Sequence, residues 1–308
     1  MTTNQEITTV TPSDSASAPP LAPGTIIANR FNLLAPCTNS RKGQIWKAEP
    51  YVVPRLGSDD DRTVILKFVS DNVQDRRCTM EEIRQAYNRI IGLEHPNICT
   101  VHSLEEDDQH GCFLVMERVC GKTLWQYAHT IPPTKLEPAE IIQILVPIAD
   151  ALDYLHSRGI IHRDISHEHI MIIVEYGRNR RLIPKLIDFS LAMRIQDSVS
   201  MTRASKMMST EWYKAPEQWL GTQLDARTDQ YMLGVVAYEL LACALPFDDK
   251  GESISALMSL VVNVPVPPIV EYNDAVNEAL AKAMAKDGKD RFDDCRSFID
   301  ALTKALQS

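Results

Sequence analysis

No uncharged apolar stretch in this sequence reaches the roughly 18 residues that a membrane span needs. The longest candidate, VVAYELLACALPF, carries Glu239 and runs into Pro246. The N-terminal MTTNQEITTV TPSDSASAPP lacks the basic start and apolar core of a secretory signal. Seven cysteines occur without a C-x-x-C pair, and an odd count with no signal points to reduced thiols in a cytosol. Positive charge is in deficit: 32 Lys and Arg against 41 Asp and Glu give a net charge of −9. That balance argues against an electrostatic footprint for nucleic acid or an anionic membrane. No internal repeat is present. The expectation is a cytoplasmic protein that binds neither nucleic acid nor membrane.

What is there has the size and balance of a globular protein. The 308 residues, 44% apolar and 24% charged, are enough for a large core and one domain of two lobes. Residues 1–24 are rich in Ser, Thr and Pro and read as a disordered tail. From Phe31 the pattern is strand-like (RFNLLAP, GQIWKAEPYVV, TVILKFV), with PRLGSDDDR as an acidic hairpin tip between the last two. Residues 78–93 have helical spacing and end at HPNI, where Pro96 disfavours continuation. VHSLEEDDQHGCFLVMERV reads as a hairpin around Asp107–Gly111. Beyond Gly121 helical patterns dominate: EPAEIIQILVPIADALDYLHSRG, ARTDQYMLGVVAYELLACAL, VNEALAKAMAK and DDCRSFIDALTKAL. Strands first and helices after is an α+β layout.

Residues 155–190, LHSRGIIHRDISHEHIMIIVEYGRNRRLIPKLIDFS, hold the densest chemistry. An H-R-D triplet (His162, Arg163, Asp164) follows a helix, and a D-F-S triplet (Asp188, Phe189, Ser190) follows the apolar runs IMIIV and LI. A strand–turn–strand between two acidic loops brings a proton acceptor and a metal-binding carboxylate to one cleft. This pair resembles the catalytic loop and D-F-G motif of eukaryotic-type protein kinases. KAPEQW (214–219), DARTDQYMLGVVAYELLACALPF (225–247) and DRF (290–292) extend the resemblance over about 30–306, most closely to bacterial serine/threonine kinases.

The resemblance implies a two-lobed protein kinase-like fold over 25–308. A small β-sheet lobe with one main helix covers about 25–117. A hinge follows at about 117–121, and a larger, mostly helical lobe covers about 122–308. It implies ATP with Mg²⁺ or Mn²⁺, and a protein substrate or docking partner. Asp164 matches the base, Asp188 the metal ligand, Lys67 in VILK the phosphate-binding lysine, and Thr210 the threonine that contacts the base. Met116 matches the gatekeeper, with Glu117 and Val119 offering hinge backbone to adenine. Gly43, Ile45 and Ile65 match nucleotide-binding positions. Glu217 is expected to pair with Arg291, Asp229 to hold the catalytic loop from below, and His162 to pack inward.

Several positions depart from the pattern. The G-x-G-x-x-G loop is reduced to Thr38, Ser40 and Gly43, which hinders close backbone approach to phosphate. The helix glutamate expected to pair with Lys67 falls at Ala86, with Glu82 one turn earlier. Ser166 replaces the usual lysine two residues after the base, and His169 replaces the second metal-binding Asn. Imidazole suits Mn²⁺ and Zn²⁺ better than Mg²⁺. A zinc site from His162, His167 and His169 is an alternative use of these histidines. Ser190 replaces the D-F-G glycine, and Ile65 a small alanine.

Two readings follow. One is an ATP-dependent serine/threonine kinase with weak or Mn²⁺-preferring activity, its own Ser198, Ser200, Thr202, Ser205 and Ser209 available as acceptors. The alternative is a pseudokinase, a regulatory binding module for which the GRNRR tip (177–181) offers a docking point. Phosphorylation of a small molecule is a third class, disfavoured by the APE-like segment.

Overall fold

The computed structural model describes residues 20–37, 45–51, 62–69, 84–85, 87–130, 135–177, 180–189, 210–248 and 253–308. The chain forms two compact units, Met1–Asp71 with Glu105–Val115, and Asn72–Leu104 with Met116–Ser308. The first unit is therefore not one contiguous stretch of about 25–117. Residues 94–99 belong with the second unit because their backbone bonds there: Glu94 N–H donates to Tyr154 Oη at 3.1 Å and Cys99 N–H to the Leu186 carbonyl at 2.9 Å.

The first unit is built on β1 (Ile26–Ile27), β2 (Phe31–Pro36), β3 (Ile45–Pro50) and β4 (Val64–Phe68), with β5 (Val101–Asp107) and β6 (Gly111–Glu117) completing a sheet of order β1-β2-β3-β4-β6-β5. Period-two alternation sets its faces. Phe31, Leu33, Trp46, Ala48, Leu66 and Phe68 are buried and join Ile27, Phe113 and Val115 in one core. Ile45, Lys47, Ile65 and Lys67 alternate with them. The β5–β6 hairpin turns at Asp107–Gly111 as expected, and Asp107 accepts from the Ala28 N–H at 2.7 Å. Of the expected tail, residues 1–19 lie outside the described residues. Leu21 already packs on the core and Gly24 N–H bonds the Leu33 carbonyl, so the fold begins before residue 25.

The second unit carries a small antiparallel sheet, β7 (Lys122–Thr123), β8 (Ile170–Glu175) and β9 (Arg181–Leu186), and seven helices among the described residues. These are α1 (Leu124–Thr130), α2 (Pro138–His156), α3 (Pro216–Leu220), α4 (Ala226–Ala242), α5 (Ile254–Asn263), α6 (Asp274–Ala283) and α7 (Cys295–Leu306). Helix α2 starts with Pro138 at its first position inside a Glu137–Glu140 capping box and stops before Gly159, whose φ is +70°. Helix α4 is buried nearly all round, as its apolar sequence predicts. Asp225 caps it through the Arg227 N–H at 2.8 Å. A Cβ on Gly234 would meet Met284 Cγ at 2.8 Å, so the glycine is where α4 comes closest to the chain after α6.

One ion pair ties the APE-like helix α3 to the DRF turn. Arg291, its side chain fully buried, reaches both Glu217 oxygens at 2.7 and 2.8 Å and donates to the carbonyls of Ala285 and Arg227. Burial works to raise the Glu217 carboxyl, but the Arg291 guanidinium outweighs it and holds it below the ordinary value. Truncating one partner leaves the other charge buried and alone. Arg291→Ala should therefore cost about 3–5 kcal/mol, read as a lower urea midpoint with an unchanged slope.

Candidate active site

The H-R-D loop is shaped by one carboxylate. Asp229, fully buried in the first turn of α4, accepts from the backbone N–H of His162 at 2.8 Å and of Arg163 at 2.7 Å, and from His156 Nε2 at 2.8 Å. These bonds hold Arg163 at φ +68°, a left-handed conformation that costs a non-glycine residue roughly 1–2 kcal/mol. From the other direction, Gln218 Nε2 donates to the Arg163 carbonyl at 2.9 Å. Burial would raise the Asp229 carboxyl, but the His156 bond and charge, with His162 and the Arg163 N–H, keep it below the ordinary value.

His162 packs inward as expected and is fully buried, 5.0 Å from the ring of Phe189. The Asp164 N–H donates to its Nδ1 at 3.3 Å, and its Nε2 donates to the Ile187 carbonyl at 3.2 Å. Burial pushes its pKa down to about 4, so the ring is neutral at physiological pH. Asp188, next to Phe189, lies at φ +65°. Both proposed acids therefore adjoin or occupy left-handed positions, a pattern that clusters at functional sites.

His169 stands between the two acids. Its Nδ1 lies 2.6 Å from the Asp164 carbonyl oxygen and 3.3 Å from Asp164 Oδ2, while Nε2 lies 4.0 Å from Asp188 Oδ2. A carbonyl can only accept, so Nδ1 carries a proton, and Nε2 lies on the side of Asp188. A carboxylate and an imidazole nitrogen facing each other make a donor set that fits Mn²⁺ or another transition metal better than Mg²⁺. Ser166 is fully buried, and its Oγ has no hydrogen-bond partner among the described residues. Thr210 is buried at the start of the Glu211–Tyr213 turn.

The three histidines do not form a metal cluster. His162 is buried with both nitrogens engaged, and His167 turns to α4, where Nδ1 meets Glu239 at 2.9 Å and Tyr213 Oη at 2.5 Å. Burial, then the Glu239 charge, pushes the Tyr213 phenol up. Near the hinge, Met116 is buried, Val119 is half-buried, and the Glu117 side chain takes Lys185 Nζ at 2.7 Å and the Thr100 N–H at 3.1 Å. The Glu117 N–H is spent on the Thr100 carbonyl, which leaves its carbonyl rather than its N–H for a ligand. In the first unit, Ile45 pairs directly with Lys67, and Ile65 is two residues along, so these three share one sheet face.

Gly43, Thr38, Ser40, Glu82, Ala86, Ser190 and the five candidate phosphoacceptors lie outside the described residues. The basic tip is only partly described. Arg180 is exposed and binds Glu140 at 2.7 Å and Tyr127 Oη. Sequence reading missed His156, Gln218, Lys185 and the His167–Tyr213–Glu239 group. These contacts span 26 to 73 residues, where no local spacing signals them.

The fold and these loops define a protein kinase domain, and the comparisons agree. The family described as protein kinase domain matches residues 52–305. The serine/threonine-protein kinase PknF of Mycobacterium tuberculosis is 30% identical over 288 residues, 93% of this chain and 58% of that protein. A probable serine/threonine-protein kinase PknB of Lactococcus lactis is 29% identical over 280 residues, 90% of this chain and 42% of that one. The M. tuberculosis PknI kinase domain superposes with a TM-score of 0.67 at 25% identity, covering 94% of this chain and all of that domain. The chain belongs to the protein kinase family, whose members use ATP with a divalent metal ion. It spans about half the length of the curated relatives it matches. No helix among the described residues is long and apolar enough to cross a membrane.

The Asp229 pairing has a pH signature. Burial alone would lower the pKa of His156, but Asp153 and Asp229 raise it from 6.5 to about 9. The folded state then binds more protons than the unfolded one between these values. The stabilisation is fully present below pH 6.5 and is lost as pH rises through about 9, an effect of up to about 3 kcal/mol. Lys286, pulled down to about 8 by burial and Arg291, acts in the opposite sense. The comparison is therefore with His156→Gln, which should flatten the fall in urea stability between pH 6.5 and 9 while leaving the Lys286 contribution.

Proposed function

We propose that this chain is an ATP-dependent protein serine/threonine kinase, slow in turnover and better served by Mn²⁺ than by Mg²⁺. The observation that carries this reading is the Asp164–His169–Asp188 arrangement, in which the two acids that match the base and the metal ligand are present and an imidazole ring stands between them. Similarity to serine/threonine kinases over nine-tenths of the chain favours a transferase over a binding module.

The roles follow from the chemistry of in-line phosphoryl transfer. Asp164 accepts the proton of the attacking hydroxyl. Lys67 supplies a point charge for the α- and β-phosphates. Asp188 and His169 would hold the metal, which would supply positive charge to offset that of the phosphates. Ile45 and Ile65 offer apolar surface to the nucleotide, with Met116 and the carbonyl of Glu117 and backbone of Val119 at the hinge; Gly43 is the remaining phosphate-loop glycine. Ser166 takes a lysine's position with a hydroxyl, and losing one well-placed charge costs about 10²–10³ in rate. From a starting range of roughly 1–100 s⁻¹, changes of that size at both Ser166 and His169 lead to about 10⁻⁶–10⁻² s⁻¹.

Intact-mass measurement after incubation with ATP and Mn²⁺ tests the reading. Steps of one phosphate should accumulate in the wild type and be absent in Asp164→Asn and Lys67→Met. Equal phosphorylation in all three would contradict the assigned roles, and added mass in none would support the binding-module alternative. Ser166 gives a second test. Because its buried Oγ is unpaired, Ser166→Ala should leave the fold as stable or about 1 kcal/mol more stable. Phosphate transfer should nonetheless fall by about tenfold or more. Unchanged transfer would return Ser166 to a packing role.

A further inference from the structure

Outside the phosphoryl-transfer site, a second group of ligand-bearing side chains converges. Asp153 and His156 lie one turn apart on α2, and Cys295 opens α7. One donor atom from each (carboxylate oxygen, imidazole nitrogen and thiol sulfur) lies within 4.8 Å of the other two, and among the described residues no other such group occurs. We propose that Asp153, His156 and Cys295 form a binding site for a divalent transition metal of the zinc class.

Four observations carry this. First, the donor set is that of zinc: thiolate, imidazole and carboxylate together exclude Mg²⁺ and Ca²⁺, which take oxygen ligands. Two ligands about 2.1 Å from a tetrahedral ion are about 3.4 Å apart. His156 Nδ1 and Asp153 Oδ1 are already 3.7 Å apart. Second, the imidazole is oriented as metal-bound histidines are. Its Nε2 donates to Asp229 Oδ2 at 2.8 Å, which directs Nδ1 toward Asp153 and matches the carboxylate–histidine–metal pattern.

Third, the carboxylate is held in place. Asp153 accepts from the backbone N–H of Cys295 at 3.0 Å and of Arg296 at 2.9 Å, one on each oxygen, and each oxygen keeps a lone pair. Capping α7 accounts for Asp153 but requires neither the thiol nor the imidazole. Fourth, a cavity of about 250 Å³ opens on Asp153 and His156, bordered by Gln230, Asp293 and Asp294. It gives an ion an entry path and room for a water as fourth ligand.

Without metal, His156 bridges Asp153 and Asp229, and burial pushes the Cys295 thiol well above its ordinary pKa. Entry of M²⁺ replaces the Nδ1 proton of imidazolium and the thiol proton. Each ion bound thus releases up to two protons and adds no other reactant.

The test uses the full chain, freed of metal by a chelator, and Co²⁺ alone as the probe. A thiolate-to-cobalt charge-transfer absorption should grow to one Co²⁺ per chain and be displaced by Zn²⁺. Zn²⁺ should also raise the thermal midpoint. Cys295→Ser, with a native far-UV circular dichroism spectrum, should lose the band. Asp188→Asn should keep it, which separates this site from phosphoryl transfer. Should Cys295→Ser fail to fold, Asp153→Asn serves instead, since it keeps an oxygen for α7; it should weaken Co²⁺ binding by about tenfold or more. No band in the wild type, a band that persists in Cys295→Ser, or Co²⁺ affinity unchanged in Asp153→Asn would overturn the site.

Discussion

The fully buried carboxylate of Asp229 is the constraint on which the second unit's chemistry depends. A charge in that position is tolerable only because three donors surround it, two of them the backbone N–H groups of His162 and Arg163. The same bonds that stabilise the charge hold Arg163 in a left-handed conformation and so set where Asp164 stands. The DRF arginine works in parallel, fastening Glu217 beneath α3, whose Gln218 grips the Arg163 carbonyl. The loop is thus held from two helices, and the strain of its backbone is offset away from the reacting groups.

On this frame the departures from the family pattern are unevenly distributed. The parts that hold the loop (Asp229, His162, Glu217, Arg291) are retained with good geometry. The changes fall at positions that the resemblance assigns to phosphate and metal, with Ser166 in place of lysine and His169 in place of Asn. His169 is nevertheless fixed by its bond to the Asp164 carbonyl, with Nε2 on the side of Asp188. A scaffold under relaxed demands would have no need to keep both acids and orient the substituted ring between them. The pattern fits altered metal chemistry better than loss of function.

Much of this was legible in the sequence because it rests on short motifs or strict periods. H-R-D, D-F-S, KAPEQW and DRF gave the fold and the Asp229 and Glu217–Arg291 contacts. The resemblance pointed to Ile45, Ile65 and Lys67, and the strand pairing shows that they share one face of the first sheet. What stayed hidden was paired over long separations. Asp153 with Cys295, 142 residues apart, joins two helices, and His167 with Glu239, 72 apart, joins a loop to a helix; spacing in sequence says nothing of either contact. Residues 94–99 follow the strand-rich part in sequence, but their backbone bonds reach Tyr154 and Leu186, again over a long separation.

The central claim is that His169 is a metal ligand and sets the choice of ion. The most direct measurement is the ratio of phosphate-transfer rates with Mn²⁺ and with Mg²⁺, in the wild type and in His169→Asn, which restores an oxygen donor. The ratio should favour Mn²⁺ in the wild type and fall by about tenfold or more in the variant, chiefly through a gain with Mg²⁺. A ratio that His169→Asn leaves unchanged would contradict the account.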